Sequence, residues 1–81
     1  MSYFVYILEC ADKTLYTGIT KDVQKRLNKH NESDKGAKYT RVRRPVKLVY
    51  TEDSADRSTA SKREYAIKKL TRAKKLELIN S

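Results

Sequence analysis

Two runs rich in aromatic and β-branched residues open the chain, at residues 3–10 and 15–20, with four residues between them. Two such runs joined by a short segment predict a β-hairpin. In the first run both alternating sets of side chains are apolar, whereas a strand at a solvated surface alternates apolar with polar residues. The first strand is therefore predicted to be covered on both faces.

From residue 20 to residue 31 the apolar positions take a helical spacing, with Val23 and Leu27 four residues apart. Thr20 is the candidate N-cap of this helix. The next stretch, residues 32–45, shows no periodicity and contains the single proline, which is typical of an irregular connection.

A third strand is predicted at residues 46–51, followed by a long helix at residues 54–70. The apolar stripe of this helix consists of Ala60, Ile67 and Leu70. These three side chains are expected to face the core.

Thr71 is placed to cap a last short helix that runs through Ile79. The element order is then β-β-α-β-α-α. This order predicts an α+β fold with a small, mainly antiparallel, three-stranded sheet flanked by helices. A chain of 81 residues is expected to form a single domain, residues 1–81.

Cys10 and His30 are the only cysteine and the only histidine. An internal disulfide and a Cys/His zinc cluster are therefore excluded. The first residues show neither a positively charged leader nor a long apolar run. A cytoplasmic protein without membrane contact is the expectation, with a monomer as the default.

The net charge of +9 is concentrated in residues 21–47, which contain ten basic and three acidic residues. Such a field attracts polyanions through counterion release, which favours nucleic acid as the partner. Acidic membranes and acidic proteins would also be attracted, and lysine-rich surfaces can serve solubility alone. Charge by itself therefore names no chemistry.

Three polar side chains lie at the margins of predicted apolar stripes. Arg26 and His30 fall within about 60° of Val23 around the helix axis, and Glu64 falls within about 60° of Ile67. Each has an ordinary structural interpretation: snorkelling for Arg26, a helix-end contact for His30, and a surface pair with a lysine four residues on for Glu64. Taken together in a basic domain, they favour a functional site.

Two tyrosines stand in the hairpin, Tyr6 in the first strand and Tyr16 in the second, with Gly18 two residues further on the same face as Tyr16. The missing side chain at Gly18 predicts an opening for a phosphate or a backbone. Residues that pair directly across two antiparallel strands project from the same face, and the sum of their numbers is constant along the hairpin. Tyr6 and Tyr16 therefore project from one face only if that sum is even. A functional pair therefore predicts an odd-length loop or a bulge at the turn.

With these motifs the sequence resembles the GIY-YIG nuclease family, in particular its small stand-alone bacterial members, over nearly the whole chain. Phe4-Val5-Tyr6 matches the first triplet and Tyr16-Thr17-Gly18 the second. The remaining matches are Arg26, His30 and Glu64.

The resemblance implies metal-dependent hydrolysis of phosphodiester bonds, in DNA more than in RNA, with a link to repair or processing. Glu64 would be the sole protein ligand of Mg²⁺ or Mn²⁺ and Arg26 would hold the scissile phosphate. Either Tyr6 or Tyr16 would orient or deprotonate the attacking water, and His30 would relay the proton. The residues expected to bind nucleic acid are Lys21, Lys25, Lys29, Lys35, Lys38, Arg41, Arg43 and Arg44.

Three positions depart from the family pattern. Phe4 stands where the first triplet has glycine, and Ile19 follows Gly18 where excision-repair members have lysine. The asparagine that follows the metal-binding glutamate in several members has no clear counterpart, because Leu76 occupies the nearest spacing. A non-catalytic module that binds nucleic acid in the same basic cleft is the alternative, and a basic protein adaptor is a third.

Overall fold

A computed structural model describes residues 2–32 and 38–81 of the chain. Its strands and helices follow the predicted order, with one short additional helix. They are β1 (Tyr3–Glu9), β2 (Leu15–Thr20), α1 (Val23–Glu32), α2 (Lys38–Arg41), β3 (Lys47–Ser54), α3 (Arg57–Lys68) and α4 (Arg72–Asn80). The α+β fold class is confirmed.

The sheet is antiparallel throughout, in the order β2-β1-β3. As predicted, β1 is covered on both faces, because it is the central strand and its residues from Val5 to Leu8 are all at most 2% exposed. Both alternating sets of β1 side chains therefore contribute to hydrophobic clusters.

On one face of the sheet, Val5 and Ile7 of β1 pack with Ala60 and Ile67 of α3. These four side chains form a hydrophobic core on this face of the sheet. Two of them, Ala60 and Ile67, belong to the apolar stripe predicted for the long helix, so their burial is confirmed. The third was predicted wrongly, since Leu70 is 36% exposed. Helix α3 ends at Lys68, so Leu70 lies beyond the last turn and leaves the stripe.

On the opposite face, Tyr6 and Leu8 form a second buried cluster, against which Leu27 of α1 packs. This face carries the candidate site. In the described part of the chain, no helix is long and apolar enough to span a membrane.

Asp22, and not Thr20, caps α1. Its carboxylate accepts a hydrogen bond from the backbone N–H of Lys25 at 3.0 Å, while the Thr20 hydroxyl accepts from the N–H of Asp22 at 3.2 Å. Thr20 therefore closes the turn before the helix. The cap predicted at Thr71 is confirmed, since its hydroxyl accepts from the N–H of Lys74.

The hairpin has the register that brings the two tyrosines to one face. Leu8 pairs with Tyr16 and Tyr6 with Gly18, so paired numbers sum to an even value, and residues 10–14 form a five-residue loop. Asp12 organises this loop, since its carboxylate accepts from the Thr14 N–H and from Arg43. The prediction of an odd-length loop is confirmed.

Candidate active site

A hydrogen-bonded chain of three buried side chains runs from β1 through α1 to α2. The Tyr6 hydroxyl lies 2.9 Å from Nε2 of His30, and Nδ1 of His30 lies 2.8 Å from the Thr40 hydroxyl. Tyr6 is 2% exposed, and His30 and Thr40 are fully buried. Both nitrogens of the imidazole thus have a partner on the protein.

His30 lies in the last turn of α1, and its surroundings keep it neutral at physiological pH. Burial lowers its pKa from 6.5 to about 4, and the positive charges of Arg26 and Arg44 act in the same direction. Arg44 also donates a hydrogen bond to the main-chain carbonyl of His30. The neutral ring has one donor and one acceptor nitrogen, which is the form that a proton relay requires.

The space above Gly18 is occupied by a side chain. A Cβ atom at this position would lie 2.5 Å from the Tyr6 Oη and 2.7 Å from its Cζ. The expectation of an opening for a phosphate is therefore wrong at this point. Because Gly18 has no side chain, the Tyr6 ring can lie directly over the neighbouring strand β2 at this position. Its hydroxyl then points towards His30.

Tyr16 is half-buried and lies on the same side of the sheet. Its ring centroid is 6.4 Å from that of Tyr6 and 5.2 Å from that of His30. Its outer neighbour is Tyr39, whose ring stacks on it at 6.0 Å and which is 39% exposed. Tyr16 therefore lies between the buried hydrogen-bonded side chains of Tyr6, His30 and Thr40 and the protein surface.

Arg26 and Glu64 approach the Tyr6 phenol from different helices. Burial is the main reason that the pKa of Tyr6 is raised, and the negative charges of Tyr16 (when ionised) and Glu64 also raise it. Arg26 opposes them as a hydrogen-bond donor and as a positive charge. Four of the five residues singled out from the sequence, Tyr6, Tyr16, Arg26 and His30, are thus neighbours in the fold, and the charge of the fifth, Glu64, acts on the Tyr6 phenol.

Glu64 also forms the surface pair that its sequence position suggested. Its carboxylate lies 3.4 Å from the Lys68 ammonium, one helical turn away on α3. The Lys68 side chain is half exposed, and exposed pairs of this spacing contribute only about 0.3–0.5 kcal/mol. The pairing is weak enough for a cation to replace the lysine.

Among the described residues, no cluster of three or more His, Cys, Asp or Glu side chains could hold a metal ion. The residues present instead fit a hard cation held by one carboxylate, with the rest of its shell from water and substrate oxygens. Glu64 is the candidate, because its carboxylate is partly exposed and its negative charge acts on the Tyr6 phenol.

The basic residues that were expected to bind nucleic acid lie in two groups. Lys21, Lys25 and Lys29 line a cavity of about 220 Å³ together with Arg26, so they form one basic surface beside the site. Lys38 and Arg41 are exposed on α2. We call these the basic rim, which comprises Lys21, Lys25, Lys29, Lys38 and Arg41.

Arg43 and Arg44 form the second group. Arg43 bonds to the Asp12 carboxylate at 3.1 Å and lies over the Tyr39 ring at 4.0 Å, and Arg44 reaches the His30 carbonyl. Lys35, also expected to bind nucleic acid, lies outside the described residues.

Two residues of the site were missed from the sequence, Tyr39 and Thr40. Both lie in the stretch 32–45 that shows no periodicity, within the short helix α2, which was not predicted. A fully buried threonine in a basic, polar segment has no local signal, because its burial depends on contact with His30 ten residues away.

Comparison with known sequences agrees with this geometry. Residues 2–77 match the family profile of the GIY-YIG catalytic domain. A UPF0213 protein of Desulfotalea psychrophila is 59% identical over 80 residues, covering 99% of this chain and 73% of its own. A UPF0213 protein of Staphylococcus aureus is 60% identical over 78 residues, covering 96% and 94%.

Two solution NMR structures are also similar. The UPF0213 protein from Bacillus halodurans is 49% identical with a TM-score of 0.62, and a protein from E. faecalis is 44% identical with a TM-score of 0.67. Each comparison covers 99% of this chain and 84% of the other. The likeness therefore extends to nearly the whole fold.

Proposed function

Since the chain belongs to the GIY-YIG family, we propose that it is a metal-dependent endonuclease that hydrolyses phosphodiester bonds in nucleic acid, DNA in preference to RNA. The observation that carries this proposal is the bond between the Tyr6 hydroxyl and Nε2 of a neutral, buried His30, with Arg26 beside the phenol. A buried phenol that can pass its proton to an imidazole is equipped for general acid–base chemistry. Packing of the fold alone requires no such relay.

Of the two tyrosines, Tyr6 is the one we assign to the attacking water. Its phenol is held protonated, because burial raises its pKa, so a free tyrosinate is not the base. Instead, the phenol oxygen takes the proton of the water while its own proton moves to Nε2 of His30. Tyr16, half-buried at the boundary with the surface, then lines the substrate side of the site.

Arg26 holds the scissile phosphate, since a guanidinium binds phosphate oxygens with paired hydrogen bonds. Its positive charge disfavours the imidazolium form of His30 in the free protein. A bound phosphate compensates that charge, which makes His30 a stronger base when substrate is present. Binding of substrate would thereby prepare the relay.

Glu64 is the residue that would hold Mg²⁺ or Mn²⁺, in place of its pairing with Lys68. The ion supplies stabilisation of negative charge on the phosphate and the leaving oxygen. The basic rim attracts the polyanion without reading its sequence.

The test is a cleavage assay with labelled single-stranded, duplex and branched DNA and RNA, in Mg²⁺ and in Mn²⁺. We expect cleavage by the unmodified chain and a loss of roughly 100-fold or more in Glu64→Gln and in Arg26→Ala. The matched control is Glu77→Gln, which removes an exposed carboxylate that pairs with Lys74 on α4 at 3.7 Å. This variant should cleave normally.

Cleavage that persists in Glu64→Gln would come from a contaminating nuclease and would contradict the assignment of this residue. Binding of the nucleic acids without cleavage, in either metal, would support the non-catalytic binding module instead. A filter-binding or anisotropy measurement on the same samples separates these outcomes.

A further inference from the structure

Among the described residues, the hydrogen-bond partners of Tyr6, His30 and Thr40 favour one distribution of protons. A neutral imidazole carries one N–H, and the other nitrogen must accept a hydrogen bond. The Tyr6 hydroxyl needs an acceptor, because Tyr6 is 2% exposed and a buried donor left without a partner costs about 1–3 kcal/mol. Arg26 acts on the phenol as a hydrogen-bond donor and cannot accept, and Glu64 acts on it only through its charge.

Nε2 of His30 is therefore the acceptor for the Tyr6 proton, and Nδ1 must carry the hydrogen of the ring. That Nδ1–H points to the Thr40 hydroxyl at 2.8 Å, whose oxygen can accept it. In the described part of the chain no buried side-chain polar atom lacks a partner, in agreement with this assignment.

We propose that Thr40 is a positioning residue: its hydroxyl oxygen accepts the Nδ1–H of His30, which orients the ring and stabilises the tautomer whose Nε2 receives the proton of Tyr6. The catalytic part of this statement rests on the proposed nuclease function. The tautomer itself does not depend on it.

The alternative tautomer would stop the relay. With the proton on Nε2, His30 would donate to the Tyr6 oxygen, and the phenol could no longer pass its proton to the ring. Thr40 needs to touch neither substrate nor metal to have this effect, because it acts through His30. Its place on α2 also explains why this short helix matters to a site built mostly from β1, β2 and α1.

The chain is well suited to a direct test, because His30 is its only histidine. Protein labelled with ¹⁵N-histidine gives the signals of one ring, and long-range ¹H–¹⁵N correlations show which nitrogen carries the proton. At pH 7 we expect Nδ1 to be protonated in the unmodified chain. Protonation of Nε2 would overturn the proposal without any variant.

The variants are Thr40→Val, which removes the hydroxyl at nearly constant volume, and Thr40→Ser, which keeps it. In Thr40→Val we expect His30 no longer to populate a single tautomer with the proton on Nδ1. In Thr40→Ser we expect that tautomer to be retained. Thr17→Val is the matched control, since Thr17 is also buried but lies on β2 opposite Ile7, on the other face of the sheet. If the His30 ring in Thr40→Val shows the same tautomer as in the unmodified chain, the role of Thr40 is refuted.

Where cleavage is observed, Thr40→Val should lower kcat by at least about 10-fold with little change in KM, as outer partners of reactive groups typically do. Thr40→Ser should restore most of the rate. Equal kcat in Thr40→Val and the unmodified chain would exclude a positioning role in catalysis even if the tautomer changes. If the unmodified chain does not cleave, the proposed function fails while the NMR result still decides the tautomer.

Discussion

Lowering the pH from 7 to 5 is expected to destabilise the fold through one side chain, His30. The folded-state pKa of this buried imidazole is about 4, whereas the ordinary value of 6.5 applies once the chain unfolds. Between these two values the unfolded chain binds a proton that the folded chain does not. Acid therefore favours unfolding, and stability falls as the pH drops through this window.

The size of the effect follows from the gap between the two pKa values. One pKa unit corresponds to about 1.4 kcal/mol, so the free energy of unfolding should fall by about 2 kcal/mol between pH 7 and pH 5. Near pH 4 the loss approaches about 3 kcal/mol, and below that value both states are protonated and the contribution stays constant. For a small domain this is a large share of the total stability.

Urea denaturation at pH 7, 6 and 5 measures this dependence, with His30→Asn as the comparison. All other titratable groups are shared by both proteins, so the difference between the two curves isolates His30. We expect a falling curve for the unmodified chain and a nearly flat one for His30→Asn. Parallel curves, or an NMR titration that gives His30 an ordinary pKa near 6.5, would refute the assignment of His30 as a buried neutral base.

Two further substitutions test the packing that builds the site. Gly18→Ala should destabilise the fold by about 1–3 kcal/mol and abolish cleavage, because the new Cβ would lie 2.5 Å from the Tyr6 hydroxyl oxygen and 2.7 Å from the ring carbon Cζ. A denaturation midpoint equal to that of the unmodified chain would contradict this. Asn31→Ala should cost about 1–3 kcal/mol, since the Asn31 amide bonds both the N–H and the C=O of Val46, at 2.8 and 3.0 Å. Asn28→Ala, at an exposed position of the same helix, should change the midpoint little, and equal losses in the two variants would argue against the Asn31 bridge.

The strands could be predicted because their signals are local, and their register could be predicted on the condition that the two tyrosines act as a pair. The β2 bounds follow from a run of strand-forming residues with a polar segment before it, and the odd loop follows from requiring Tyr6 and Tyr16 on one face. The cap at Thr71 is equally local, since its partner is the N–H of Lys74 three residues on.

The errors concern features that depend on distant contacts. Leu70 fits the stripe of α3 by spacing, but the helix ends at Lys68 before that position can face the core. The opening expected at Gly18 is filled by Tyr6, which belongs to the neighbouring strand. Local periodicity carries no information on which distant side chain occupies such a space.

The sequence by itself determined the order of the predicted elements, the covering of β1 on both faces and the resemblance to the GIY-YIG family. Each of these depends on residue type and on the fixed periods of strand and helix. Only the tertiary structure decided that Tyr6 crosses Gly18, that His30 is buried and neutral, and that Thr40 closes the chain of hydrogen bonds. Proton positions and pKa values follow from burial and from partners far apart in the chain, and these exist only after folding.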